Sequence, residues 1–400
     1  MRLRTALPAI VAGLLFTTAP ASACPFCSPT GTTLTGEVAQ ADFILFGTLS
    51  NPKPDPNDPT LSKGTTDLNI ELVIKSHDMV KDKKTITIPR LVRPDGKNSK
   101  YLVFFNIFNG QLDPYRGEAV PADSKLPEYL KGAMEAKKKD LATRLRYFFD
   151  YLEDSDIIVS SDAYSEFGYA EYKDVQQIAP KLPAATLLKW LKDPNTRGSR
   201  YGLYGLLLGH CGKAEDAKAI RALLDDKERS YTSGLDGVVA GYVLLDPKAG
   251  WEYLVNTIKD RSKDFPVKYA ALRTVRFFWE SRPDVIPAAE SLAAIQLLMA
   301  DPDIADMPME DLRKWKQWQL TPVVLGYANK ESHSGTPIIA RAILKFAIAA
   351  SWADPKNTAA AEYVKAARAK DPKRVEFLEE VVKDEQKPAP PPPEKKDSPK

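Results

Sequence analysis

Between residues 38 and 110, apolar and polar residues alternate in short runs; from about 127 onward the apolar residues recur every three and four positions. The first pattern predicts strands, whose successive side chains face opposite sides, and the second predicts amphipathic helices. Four strands are expected: 41–49 (ADFILFGTL), 66–76 (TDLNIELVIKS), 84–92 (KTITIPRLV) and 100–108 (KYLVFFNIF). In the second, Leu68, Ile70, Leu72 and Ile74 share one face; in the third, Ile86 and Ile88 alternate until Pro89 breaks the run. The connectors SNPKPDPNDPTLSKG and RPDGKNSK carry the turn residues. Four or more short strands of this kind predict a small sandwich or barrel.

Helical spacing is expected over 142–154, 185–193, 214–226, 249–260, 267–281, 285–300, 310–328 and 337–352. These segments pair. Residues 201–226 read as helix, Gly-containing turn and helix, and 234–260 repeat that plan about 33 residues on. Another pair opens near Val267. Paired helices at such a period predict a solenoid, in which each pair buries its face on its neighbours. Asp-Pro steps at 193–194, 246–247, 301–302, 354–355 and 371–372 fit helix starts, with Asp as N-cap and Pro at N1. The fold class is therefore α+β multidomain: a small all-β barrel over 24–120, then an α-helical solenoid over 121–383. Residues 384–400 (DEQKPAPPPPEKKDSPK) cannot bury a core and read as a disordered tail, its PPPP run suited to polyproline II.

The first 23 residues carry Arg2 and Arg4, an apolar stretch from Ala6 to Phe16 and a terminal Ala21-Ser22-Ala23. This is the pattern of a cleavable secretory signal, and it predicts a secreted or periplasmic protein. No later run approaches the ~20 apolar residues of a membrane helix. The whole chain has 56 basic and 53 acidic residues, a net charge of +3. So small an excess offers no field for nucleic acid or an anionic membrane surface, and nucleic acid is not an expected partner.

Cleavage after Ala23 would make Cys24 the first residue of the mature chain, with Cys27 completing C-P-F-C. A thioredoxin-type centre needs a strand before this motif and a helix after it. Here the preceding residues belong to the signal, and the next stretch, SPTGTTLTGEV, holds a proline and two glycines. Four roles stay open for the cysteines. They are a structural disulfide, of Cys24 with Cys27 or of one of them with Cys211; lipidation of Cys24; metal contact through Cys24; and thiol redox chemistry at Cys24 and Cys27. Three cysteines leave one thiol free or paired between chains.

The order of N-terminal cysteine, AQADFILFGTL, a strand ending VIKS, TITIP and KYLVFF resembles the netrin-like module shared with tissue inhibitors of metalloproteinases, an OB-like barrel. The resemblance covers about residues 24–115. It implies that the amine and carbonyl of Cys24 contact a protease zinc. The chain departs from that family in having C-x-x-C in place of C-x-C, and no other cysteine before Cys211. Residues 140–352, with LLLGHCGKAEDAKAIRALLDD as the best unit, resemble HEAT-type repeats. That resemblance implies a protein partner held on a helical surface.

Conventional chemistry is sparse. His77, His210 and His333 are the three histidines, and His210 adjoins Cys211. Adjacent residues point to different helix faces, so a thiol–imidazole pair would need a third element. No G-x-S-x-G, H-E-x-x-H, Walker or G-x-G-x-x-G motif appears, and no cofactor is expected. Asp154, Asp156, Asp162, Glu166 and Glu171 interleave with Tyr164, Phe167, Tyr169 and Tyr172. Asp162 and Glu166, four apart, are expected on a solvated helix face. Trp315 and Trp318, three apart, are expected in a buried ridge. The function expected is a non-enzymatic exported scaffold; the alternatives are a metalloprotease-inhibitor-like module acting through Cys24 and a thiol redox protein.

Overall fold

The computed structural model of the chain describes residues 24–27, 29, 31–60, 62–93, 100–121, 124–226, 229 and 233–387. The expected signal over 1–23, most of the RPDGKNSK connector and residues 388–400 lie outside them. The chain divides into two compact units, Met1–Ala184 and Ala185–Lys400.

The first unit opens with α1 (Leu34–Gln40), followed by β1 (Phe43–Pro54), β2 (Gly64–Lys75), β3 (Thr85–Ile88), β4 (Lys100–Phe108) and β5 (Gln111–Val120). These form one antiparallel sheet in the order β3-β2-β1-β4-β5. Alternation puts Phe43, Leu45, Leu49, Leu68, Ile86, Ile88, Val103 and Phe105 into one cluster, joined by Val80 and flanked by Leu112 of β5. Phe43 and Phe105 stack at 4.5 Å in its centre. The sheet thus gathers residues of all five strands around one core, yet it stays open and does not close into the expected barrel. The reason lies at its edges. β3 has only four residues before Pro89, and Pro114 sits within β5; a proline cannot donate to a ladder. The exposed Arg90–Asp113 contact, at 3.7 Å, reaches across between the two edges.

Neither α1 nor β5 is predicted by the pattern. The strand is masked by Pro114 and Gly117, which an edge strand tolerates. Four helices complete the unit: α2 (Leu126–Lys137), α3 (Leu141–Phe149), α4 (Ile157–Gly168) and α5 (Tyr172–Ile178).

The second unit is helical: α6 (Ala184–Lys192), α7 (Gly198–Cys211), α8 (Ala214–Asp225), α9 (Leu235–Leu245), α10 (Pro247–Lys259), α11 (Phe265–Ser281) and α12 (Ala288–Met299). It continues through α13 (Asp306–Lys314), the short α14 (Thr321–Gly326) and α15 (Glu331–Ser334), then α16 (Pro337–Ala353), α17 (Thr358–Lys370) and α18 (Pro372–Gln386). α9 packs between α7 and α11, α8 and α10 flank α9, and α16 packs on α13, α17 and α18. The expected helix over 310–328 is broken into α13, a 3₁₀ turn and α14, because Lys316 takes a left-handed backbone (φ 57°). α18 runs through Gln386, past the expected start of the tail at 384.

Two of the five Asp-Pro steps start helices. Asp246 and Asp371 accept hydrogen bonds from the backbone N–H of Ala249 and Arg374, and the prolines next to them occupy N1. Asp193, Asp301 and Asp354 instead accept from residues two further on and close turns.

The seam between α7 and α9 is made of glycine. Gly202, Gly205 and Gly209 recur, 32 residues later, as Gly234, Gly237 and Gly241. A methyl built on Gly237 would lie 2.2 Å from the Gly202 carbonyl oxygen, and one on Gly241 would lie 2.1 Å from that of Gly205. The two backbones touch, and no side chain fits between them. The stretch YGLYG, residues 201–205, is part of this contact.

Candidate functional site

Three arrangements bear on function: the cystine segment with its anchor, the His210–Cys211 region, and a groove in the helical unit. Cys24 and Cys27 are joined in a disulfide. Cys24 is buried, and its carbonyl accepts a hydrogen bond from the Cys27 N–H at 3.2 Å. In this bond the Cys24 sulfur is neither a thioether nor a thiol, and the carbonyl that would chelate zinc is engaged. Phe26 is buried beside them.

The segment after the cystine is held by α4. Tyr169 donates from its hydroxyl to the Gly31 carbonyl, and Pro29 packs on Gly168 so closely that a methyl there would meet its ring at 2.8 Å. Asp162 Oδ1 then accepts from the Leu34 N–H at 2.6 Å, and its Oδ2 accepts from the Tyr129 hydroxyl at 2.7 Å. Glu166 accepts from the Thr35 hydroxyl and lies 3.4 Å from Lys137 Nζ. The first N–H groups of a helix have no partner within it. Here Asp162 serves the one on Leu34 from 128 positions along the chain, and Thr33 caps Gly36. Asp162 and Glu166 are accordingly buried at 6 % exposure, a correction to the solvated face expected of them. Burial pushes the Asp162 carboxyl up to about 6; Glu166 adds to the rise, while the bonds from Leu34 and Tyr129 oppose it. The other members of the stretch are structural. Asp156 caps α4, Asp154 accepts from the Asp156 N–H, Glu171 pairs with Lys173, and Tyr164, Phe167 and Tyr172 are buried.

His77 caps a 3₁₀ turn by accepting from the Met79 N–H at 3.1 Å. Buried His333 bridges the Met299 carbonyl and the Ser332 hydroxyl, each at 2.9 Å. His210 and Cys211 end α7. Burial, helped by Arg282, draws the His210 imidazole down to about 4, and burial pushes the Cys211 thiol up to about 11. A neutral imidazole beside a protonated thiol is the reverse of an activated nucleophile. In the folded protein at pH 7, Cys211 is expected to react with iodoacetamide at least about tenfold more slowly than glutathione does, and to reach the glutathione rate on unfolding. A native rate equal to or above that of glutathione would show an activated thiol. Among the described residues no three His, Cys, Asp or Glu side chains gather into a metal-holding group.

The groove lies between α8, α9, α10 and α11 and encloses about 860 Å³. Buried Val239, Leu254 and Ala271 form its floor, with Leu224, Leu235 and Val267 half-buried at its sides. Its rim carries both signs of charge. Arg221 pairs with Asp225 at 2.6 Å and lies over the Tyr253 ring at 4.9 Å, fixing one wall. Asp260, held low by hydrogen bonds from Ser262, and Lys263 stand at the other. Sequence reasoning missed this groove, because its residues come from four helices and each reads singly as an ordinary core or surface position. Trp315 and Trp318 are both half-buried; Trp315 stacks on Trp279 at 4.6 Å and Trp318 meets Phe346 edge-on at 5.4 Å.

No protein-family model, curated protein or solved structure matches this chain. No helix among the described residues is long and apolar enough to cross a membrane.

Proposed function

We propose that this is an exported scaffold or adaptor whose helical unit holds a protein partner. The observation that carries the reading is the groove of α8–α11, which pairs an apolar floor with a rim of both charge signs. Such a lining suits a peptide or helix bearing apolar anchors between polar residues, and stacked helix pairs expose such surfaces along their length. The 32-residue glycine translation supports the HEAT-like reading of this unit, and the pattern at residues 1–23 supports export. The cystine segment is read as a structural anchor, in preference to the zinc-contacting and redox alternatives.

The test is the double variant Leu224→Glu, Val267→Glu. Both side chains are half-buried at the groove wall, so the fold is expected to survive with its circular dichroism unchanged. Wild type and variant are immobilised and challenged with the exported proteins of the source cells. Any retained protein is then purified and titrated against both. A partner bound by wild type and at least tenfold more weakly by the variant supports the proposal. Equal binding to both removes the groove from the function.

A further inference from the structure

A second groove, of about 800 Å³, lies where α13, the 3₁₀ turn after it, the end of α16 and the last turn of α18 meet. Trp318 and Trp352 line it over Ala349 and Ala353, with exposed Lys314 and Lys316 at the rim. Trp352 is 39 % exposed, and Lys383 of α18 lies 5.7 Å above its ring. Two indoles set in a groove are unusual at a surface that has no further element to cover it among the described residues.

The path of the chain points to the occupant. Glu385 lines the groove and is tied to both Arg313 and Lys345, the latter at 2.8 Å, and Glu310 completes the cluster. This cluster pins the last turn of α18, so the chain leaves its final helix beside the two indoles. Lys387, the last described residue, has φ −67° and ψ 140°, which is the polyproline II region that a proline at the next position favours. The sequence then reads Pro388-Ala389-Pro390-Pro391-Pro392-Pro393-Glu394.

We propose that the groove between Trp318 and Trp352 is the seat of this chain's own segment 388–393. Aromatic-lined grooves bind proline-rich segments because such segments lose little conformational entropy on docking. Attachment one residue away raises the effective concentration of the segment to the millimolar range, so weak intrinsic binding suffices. Six residues at ~3.1 Å each span roughly 19 Å, the scale of a groove of this volume. Glu394, the first acid of the tail, supplies a charge complementary to Lys314 and Lys316. The seat is separate from the α8–α11 groove and does not rest on the partner-binding reading.

The experiment compares the exported full chain with the same chain ending at Lys387, both carrying 5-fluorotryptophan. The six tryptophans give separate fluorine signals, assigned by single Trp→Phe variants. Deleting 388–400 is expected to shift the Trp318 and Trp352 signals and leave Trp190 and Trp251 in place. Adding a synthetic peptide of residues 387–400 to the shortened chain is expected to restore both signals saturably. A peptide carrying Pro390→Ser, Pro391→Ser, Pro392→Ser and Pro393→Ser, or a shortened chain carrying Trp352→Ala, is expected to bind at least tenfold more weakly. The peptide variant needs no refolding of the protein, so a poorly folding Trp352→Ala leaves the test intact. Signals unmoved by the deletion overturn the proposal, as does binding indifferent to the prolines. A full-length signal that changes on dilution would place the segment in a second copy and overturn the intramolecular seat.

Discussion

Gly241→Ala is expected to lower the stability of the helical unit by about 3 kcal/mol, a drop in Tm of roughly 6–12 °C for a unit of this size. In an ordinary helix this change stabilises by about 0.5–1 kcal/mol, because alanine restricts the unfolded chain. The sign reverses here because the added methyl would stand 2.1 Å from the Gly205 carbonyl oxygen, which is backbone and cannot swing away. Relief requires α7 and α9 to part, and with them the packing of Leu206, Val238 and Tyr242. Gly326→Ala is the matched control, since a methyl there meets nothing within 4 Å. Thermal unfolding of the two variants decides the matter: Tm values within ~2 °C of each other would mean that the seam yields easily.

The second large effect is the pH response of the Asp162 anchor. Its carboxyl is raised to about 6 from an ordinary 3.8, so folding favours its protonated form. The contribution is present in full below about pH 4 and is lost as pH rises through 6. A rise from 3.8 to about 6 corresponds to about 3 kcal/mol for a fully buried group. Asp162→Asn keeps an oxygen for the Leu34 N–H and presents its amide to the Tyr129 oxygen, without a charge to desolvate. Relative to wild type it is therefore expected to gain about 2 kcal/mol between pH 4 and pH 7 in urea unfolding followed by near-ultraviolet circular dichroism. Asp162→Ala removes both acceptors at once and is expected to destabilise at every pH, with the Leu34 N–H left unsatisfied. A wild-type-to-Asn difference that stays flat across this range would mean that the carboxylate is ionised and stabilised in the fold.

Much of the fold is legible in single segments. The segment 214–226 returns as α8 (Ala214–Asp225), 337–352 as α16 (Pro337–Ala353) and 100–108 as β4 (Lys100–Phe108), because strong periodicity marks which face will be buried. The same signal fails over 310–328. Periodicity reports a face, not continuity, and the left-handed turn at Lys316 breaks the helix without disturbing the apolar spacing. Asp-Pro likewise marks a place where a helix cannot continue, and at three of its five occurrences the chain turns there without starting another.

The candidate sites were less legible. C-P-F-C announces a cysteine pair, and the structure joins it, but nothing near it in sequence names its anchor. Asp162 and Glu166 show the i, i+4 spacing of a solvated face. They are buried only because Leu34, Thr35 and Tyr129 arrive from other parts of the chain. The Trp318–Trp352 groove joins the C-terminal ends of α13, α16 and α18 and is equally invisible in a linear reading.

The strand-forming and helix-forming regions, the near-neutral charge, the paired-helix period and the glycine triplets at a 32-residue spacing can all be read from the order of residues alone. Local backbone preference and side-chain periodicity act within a few residues, and they are written into each segment. That the sheet stays open, that two carboxylates are buried against Leu34 and Thr35, and that those glycines face each other emerge only once the chain has folded. Each of these depends on which distant groups meet, and burial sets the energy of a charge or a methyl only once its neighbours are in place.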